Sequence, residues 1–148
     1  MIVSPDETRE LAEAVILDHD GRPRNFGTVE NATHQAEGYS PLCGDRYTVS
    51  LRLESDLIQE VQFHGFGCAI SKSSASIMTV QVMGRTAEAA LDRLGQLERA
   101  LNGQSTSDLG DLAYLVGVRD FPTRAKCALL PWRALVAALR GETAVQVL

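Results

Sequence analysis

Cys43 and Asp45 stand two residues apart in Ser40-Pro41-Leu42-Cys43-Gly44-Asp45-Arg46-Tyr47, with a glycine between them. In extended chain such a pair projects to one face. Gly44 lets the backbone turn sharply, because it tolerates positive φ. A thiol and a carboxylate converging on one point suit a metal, or a nucleophile beside a charge. Two more thiols lie downstream, Cys68 in Gly65-Phe66-Gly67-Cys68 and Cys127 in Arg124-Ala125-Lys126-Cys127. Three soft sulfurs and one oxygen would suit tetrahedral zinc, or iron in an iron–sulfur cluster. The spacing is no zinc-finger pattern, since no Cys-x2-Cys occurs, and three separate buried cysteines are the plain alternative.

The elements that must position these groups can be read from periodicity. A helix is expected from Pro5 to Leu17, capped by Ser4, with Leu11 and Val15 on its inner face. The run His19 to Ser40 is turn-rich and reads as a loop held by the domain or as a mobile arm, its histidines His19 and His34 facing solvent. Tyr47, Val49, Leu51 and Leu53 alternate with polar residues, the pattern of a half-buried strand. Glu54-Ser55-Asp56 turns the chain into a second strand, Leu57 to His64. The outer ends of this antiparallel hairpin bring Cys43 and Cys68 close by topology.

A helix from Ala69 to Met83 follows, rich in small residues, with Ile70, Ile77, Val80 and Met83 at helical spacing. The next helix carries the stripe Ala87, Ala90, Leu91, Leu94, Leu97 and Leu101, with Gly103 past its end. Ser107-Asp108 would cap a shorter helix through about Val116. Pro131 belongs in a first turn, which places the start of the last helix near Cys127 or Ala128. Cys68 and Cys127 would then each open a helix, where thiolates are favoured.

A deprotonated three-cysteine, one-aspartate zinc site is net negative. Arg46, Arg124 and Lys126 neighbour its residues in sequence and could offset that charge; for Arg46 a solvated surface role is favoured. His64, four residues before Cys68, is a weaker ligand candidate. No base is fixed for a Cys–His–Asp hydrolase. Gly65 to Ser73 lacks the glycine before Lys72 that a phosphate loop needs.

The chain has 148 residues, a hydrophobic fraction of 45% and a formal net charge of −5. That is enough for one core, and a single domain over 1–148 is expected, residues 1–40 forming its helix and loop arm. The acidic balance argues against a nucleic-acid partner. No window has the length and apolarity of a membrane span, and the N-terminus is not a signal peptide. A reducing cytoplasm is the expected location.

Pro41-Leu42-Cys43-Gly44-Asp45-Arg46, Phe66-Gly67-Cys68-Ala69-Ile70-Ser71, Ser74 to Thr79 and Phe121 to Trp132 carry a specific similarity. With the weaker segment Leu17 to Gly27, they span nearly the whole chain. In these segments the chain resembles the SufU-type iron–sulfur cluster assembly proteins, relatives of IscU and of the NifU N-terminal domain. Lys126 stands where the IscU type has histidine, and residues 92–118 would include the extra segment of the SufU branch.

The resemblance implies an α+β fold, a small antiparallel sheet packed by about five helices. It implies one zinc on Cys43, Asp45, Cys68 and Cys127, with iron or an iron–sulfur cluster as the alternative. It further implies a sulfurtransferase without independent turnover, Cys43 accepting persulfide sulfur when a histidine of a SufS-like cysteine desulfurase takes its place on the metal. Downstream Suf assembly proteins would receive the sulfur. The alternative is a scaffold on which an iron–sulfur cluster is assembled, zinc being a stand-in.

Overall fold

The computed structural model describes residues 5–104 and 108–147, with side chains from residue 7 onward. Ser4 and Ser107, expected as caps, lie outside the described residues. The elements run α1 (Pro5–Gly21), β1 (His34–Tyr39), β2 (Arg46–Glu54), β3 (Leu57–Phe66), α2 (Ala69–Val82), α3 (Ala87–Leu101), a 3-10 segment (Gly110–Asp120), α4 (Pro122–Leu139) and β4 (Ala144–Gln146).

The fold is α+β. The β2–β3 hairpin forms as its alternation predicts, turning at Ser55 and Asp56, both at positive φ (50° and 66°). Consecutive positive φ values give the turn whose twist matches the strands. Two further strands complete the sheet, in the order β3-β2-β1-β4. β1 pairs antiparallel with β2, and β4 pairs parallel with β1. The sheet is therefore mixed, with one parallel strand added to the antiparallel core.

β1 corrects the expected loop. His34-Gln35-Ala36-Glu37-Gly38-Tyr39 has only Ala36 and Gly38 on its inner face, too little apolar signal to read as a strand. Smallness is the requirement there: a Cβ at Gly38 would lie 3.0 Å from Ala134 Cβ and 3.2 Å from Leu130 Cδ1. α4 thus packs directly on β1. The preceding arm is also tied down. Gly27 N–H donates to Phe63 O, Phe63 N–H donates to Asn25 O, and Val29 N–H donates to the buried Ser50 hydroxyl. Phe26 packs edge-on against Phe63, with ring centroids 5.2 Å apart.

The core gathers Tyr47, Val49, Leu51, Val61 and Phe63 from the sheet with Met78, Leu97, Leu112, Leu115, Leu130, Trp132 and Leu135 from the helical elements. Three helix readings shift. On α1 Leu11 is half exposed, and the inward residues are Ala12, Val15, Ile16 and His19. On α2 Val80 is exposed, while Ser71, Ser73, Ser74, Ala75 and Ser76 are fully buried. The third concerns α4, which begins at Pro122 rather than near Cys127. Pro122 takes the first-turn place that suits a proline. Pro131 is inside the helix, where it withholds the N–H that Cys127 C=O would otherwise accept. Cys127 is consequently one full turn into α4 and not at its N-terminus.

Candidate metal and sulfur site

Residues 40–46 form the turn from β1 into β2, with Pro41 to Gly44 exposed and Ser40 and Asp45 buried. Gly44 N–H donates to Ser40 O at 2.8 Å, and Ser40 N–H donates to Asp45 O at 2.9 Å. Gly44 sits at φ +77°, as the sharp turn requires. The Cys43 thiol donates to Ser40 Oγ at 3.2 Å. Cys43 is exposed, whereas Asp45 and Cys127 are buried.

Ligand atoms of Cys43, Asp45 and Cys127 all lie within 4.8 Å of one another. The two sulfurs are 3.5 Å apart. That is far beyond a disulfide bond of about 2.05 Å. It is close to the roughly 3.8 Å that two sulfurs adopt around a tetrahedral zinc with Zn–S near 2.3 Å. Two sulfurs and one carboxylate oxygen at this spacing fit a borderline-soft divalent ion. Burial, the hydrogen bond with Cys43 and the charges of Cys68 and Asp45 push the Cys127 thiol well above the usual range. A cation is what such a cluster of potential anions calls for.

Cys68 stands beside this group but outside it. It is the N-cap of α2, as expected, with extended backbone (φ −72°, ψ 169°). The hairpin brings it there: Arg46 pairs with Phe66 at the open end. Its N–H faces Asp45 Oδ2 at 3.5 Å, and its thiol faces Ser71 Oγ at 3.7 Å. Gly67 is what permits this approach. A Cβ on it would lie 2.5 Å from Ser71 Oγ, 2.6 Å from Tyr47 Oη and 2.8 Å from Asp45 Cγ.

Two serines that sequence reasoning missed organise the site. Ser40 holds the Cys43 turn by backbone and hydroxyl. Ser71 donates to Cys68 O at 3.1 Å and contacts the buried Tyr47 hydroxyl at 3.0 Å. Their signal was position alone, each three residues from a cysteine. The nearby cations have other contacts. Arg46 pairs with Glu37 at 2.6 Å and lies over the Tyr39 ring. Arg124 lies over Phe121. Lys126 is exposed. Among the described residues none of the three forms an ion pair with Asp45.

His19 is not solvent-facing, as had been expected. It is buried and hydrogen-bonded to Ser76 Oγ at 2.7 Å, on α2. Burial first, then the Arg24 charge, lowers its pKa, against Asp111 and Asp18. Thr33 Oγ1 contacts His34 at 2.8 Å on the sheet. His64 lies on β3, partly buried.

An α+β fold that brings two thiols and a carboxylate together at a hairpin's open end defines a class of small proteins with a candidate metal site. Within it, the chain belongs to the NifU-like N terminal domain family, which residues 11–128 match. It is 39% identical over 135 residues to the zinc-dependent sulfurtransferase SufU of Bacillus subtilis, covering 89% of this chain and 91% of that one. It is 33% identical over 139 residues to the iron–sulfur cluster assembly scaffold protein IscU of Streptococcus pyogenes, covering 92% and 87%. Among solved structures it is similar to FiSufU of Fervidobacterium islandicum, a candidate assembly scaffold for the SUF system. That match has a TM-score of 0.81 and 35% identity, over 84% of this chain and 93% of the other.

Proposed function

We propose that this chain is a zinc-bound sulfur acceptor in iron–sulfur cluster biogenesis, taking persulfide sulfur from a cysteine desulfurase and passing it on. One observation carries the reading: an exposed thiol, Cys43, lies 3.5 Å from a buried one, Cys127, beside the buried carboxylate of Asp45. Cys43, Asp45 and Cys127 would hold zinc, and a rotation of the exposed Cys68 side chain away from Ser71 would supply the fourth donor. When bound, zinc keeps the thiols deprotonated and fixes their arrangement. Similarity to a zinc-dependent sulfurtransferase over nine-tenths of each chain supports the same reading.

In the transfer the Cys43 thiolate attacks the outer sulfur of the donor's persulfide. A new S–S bond forms on Cys43 as the donor's S–S bond breaks, and the donor cysteine leaves as its thiolate. Electrons balance without an external oxidant. Cys43 is the group free to move, on a turn with an exposed thiol and a glycine next to it. Arg124 and Lys126 add positive charge to the chain around Cys127. The chain would act as a single domain in the cytoplasm, with a SufS-like desulfurase as donor and downstream Suf assembly proteins as acceptors.

The scaffold reading is favoured by the similarity to proteins named IscU. Lys126, in the place of a histidine of the IscU-type site, weighs against it. Metal analysis and absorbance of protein purified without added iron separate the two. The sulfur acceptor is colourless with a single zinc per chain, and Cys43→Ala abolishes sulfur uptake from the desulfurase. A brown protein with sulfide-to-iron bands favours the scaffold, and unchanged uptake by Cys43→Ala refutes the role given to Cys43.

A further inference from the structure

A second concave site lies away from the thiols, against another face of α4. It has a volume of about 430 Å³ and is bounded by the end of α3, the end of the 3-10 segment, α4 and Val147 after β4. α4 contributes Pro122, Ala125, Lys126, Leu129 and Arg133, spaced as one helical stripe. Cys127 is not on that stripe and is buried.

The charge of this cleft runs against that of the protein. Arg119, Lys126 and Arg133 line it with a single carboxylate, Glu98, in a chain of net charge −5. Glu98 is already engaged by Arg133 at 3.0 Å. Among the described residues, neither Arg119 nor Lys126 has an ion pair or a side-chain hydrogen bond. Between the cations the wall is apolar, from Leu101, Leu129 and Val147. A local excess of cations with low-dielectric walls focuses potential toward an anion.

The neighbouring strand shapes what could enter. β4 is an edge strand. Glu37 N–H donates to Thr143 O and Val147 N–H donates to Tyr39 O, so alternate residues spend their backbone groups on β1. Ala144 and Gln146 therefore turn theirs to the open side. An extended segment laid beside them gains main-chain hydrogen bonds, while alternate side chains reach the cleft.

We propose that this cleft binds an acidic peptide segment of a partner protein, one whose cleft-facing residues, every second one along the extended chain, are by turns carboxylates and aliphatic side chains. The carboxylates meet Lys126 and Arg119, and the aliphatic groups cover Leu101 and Leu129. Two unpaired cations are too few for a nucleic-acid backbone, and the cleft holds a few side chains rather than a globular face. Because Cys127 is off the stripe, a segment bound here shares α4 with the sulfur site without covering Cys43. The partner can be held while the thiol stays accessible.

The test uses the intact protein and a short fluorescent peptide in which glutamate and leucine take turns at every second position, with serine between them, followed by anisotropy. Binding is expected, weakening as salt rises. Lys126→Glu with Arg119→Glu lowers affinity about tenfold or more, while Cys43→Ala, which removes sulfur uptake, leaves it unchanged. Lys126→Gln, a milder change of an exposed side chain, gives a smaller loss and guards against misfolding. The proposal is overturned if the peptide does not bind, if a glutamine–leucine peptide binds equally well, if free citrate competes as strongly as the peptide, or if the double charge reversal has no effect on a chain that still melts normally.

Discussion

The turn at residues 40–46 and helix α4 each deliver one sulfur to the same contact, by opposite means. The turn has two backbone hydrogen bonds, a glycine at φ +77° and a thiol exposed to solvent. α4 encloses its thiol within a packed helix, just ahead of the buried Ala128 and Leu130. A site made from one yielding wall and one fixed wall can release one donor while keeping the others in place. Two buried thiols would hold a metal as well but could not reach a partner, and two exposed ones would have no fixed geometry.

The largest expected effect is on thiol reactivity. In protein freed of metal by a chelator and kept reduced, iodoacetamide should modify Cys43 at least about 100-fold faster than Cys127, because burial suppresses both access and the thiolate. Peptide mapping of a time course measures the two rates. Comparable rates would mean that α4 does not shield its sulfur and the contrast between the walls is wrong.

A smaller effect distinguishes the two glycines of the site. Gly67→Ala drives a methyl into Ser71, Tyr47 and Asp45 and should cost about 1–3 kcal/mol. Gly44→Ala meets no atom within 4 Å and should cost only about 1 kcal/mol, for the left-handed backbone. Urea melts give both values. If Gly44→Ala proves the more damaging, the turn is more rigid than its contacts indicate.

The smallest effect concerns α1, which supplies no group to either wall. His19 has a folded pKa below its unfolded value of 6.5, owing to burial and then Arg24, opposed by Asp111 and Asp18. The unfolded chain therefore binds the proton more readily. Stability is full above about pH 6.5 and falls as pH drops below it. Thermal midpoints between pH 7 and 5 should decline less steeply in His19→Gln than in the parent. An identical decline would assign the acid sensitivity to other groups.

The hairpin and α3 could be read from sequence because their patterns have one dominant period, whereas α2 was placed along the chain but its buried face, built from serines, was not. Tyr47, Val49 and Leu51 alternate cleanly, and Leu94, Leu97 and Leu101 repeat on one helical face. β1 was hidden because its inward positions are Ala36 and Gly38, which record the closeness of α4 rather than hydrophobicity. β4 has three residues and exists through its pairing with β1, a partner beyond any local window. The start of α4 was misplaced because Pro131 was read as an N-terminal proline, while Pro122 had the better claim. His19 was misjudged because its partner, Ser76, is 57 residues away. The convergence of Cys43, Asp45 and Cys127 could be suspected from residue type, but the position of Cys68 at Ser71 depends on a side-chain rotation that sequence does not encode.

The fully buried serines of α2 give that helix an unusual tolerance map. Ser74 donates to Ala128 O at 2.6 Å, Ser73 to Ile70 O, and Ser76 receives the Arg24 N–H. What selects residues along this face is volume before polarity. Alanine keeps the close approach to α4 and gives up a hydrogen bond, whereas valine or leucine, ordinarily favoured inside proteins, would force the helices apart. At Ser73, Ser74 and Ser76 only substitution by glycine, alanine or threonine should therefore be tolerated, and a hydrophobicity scale would rank variants at these positions in the wrong order.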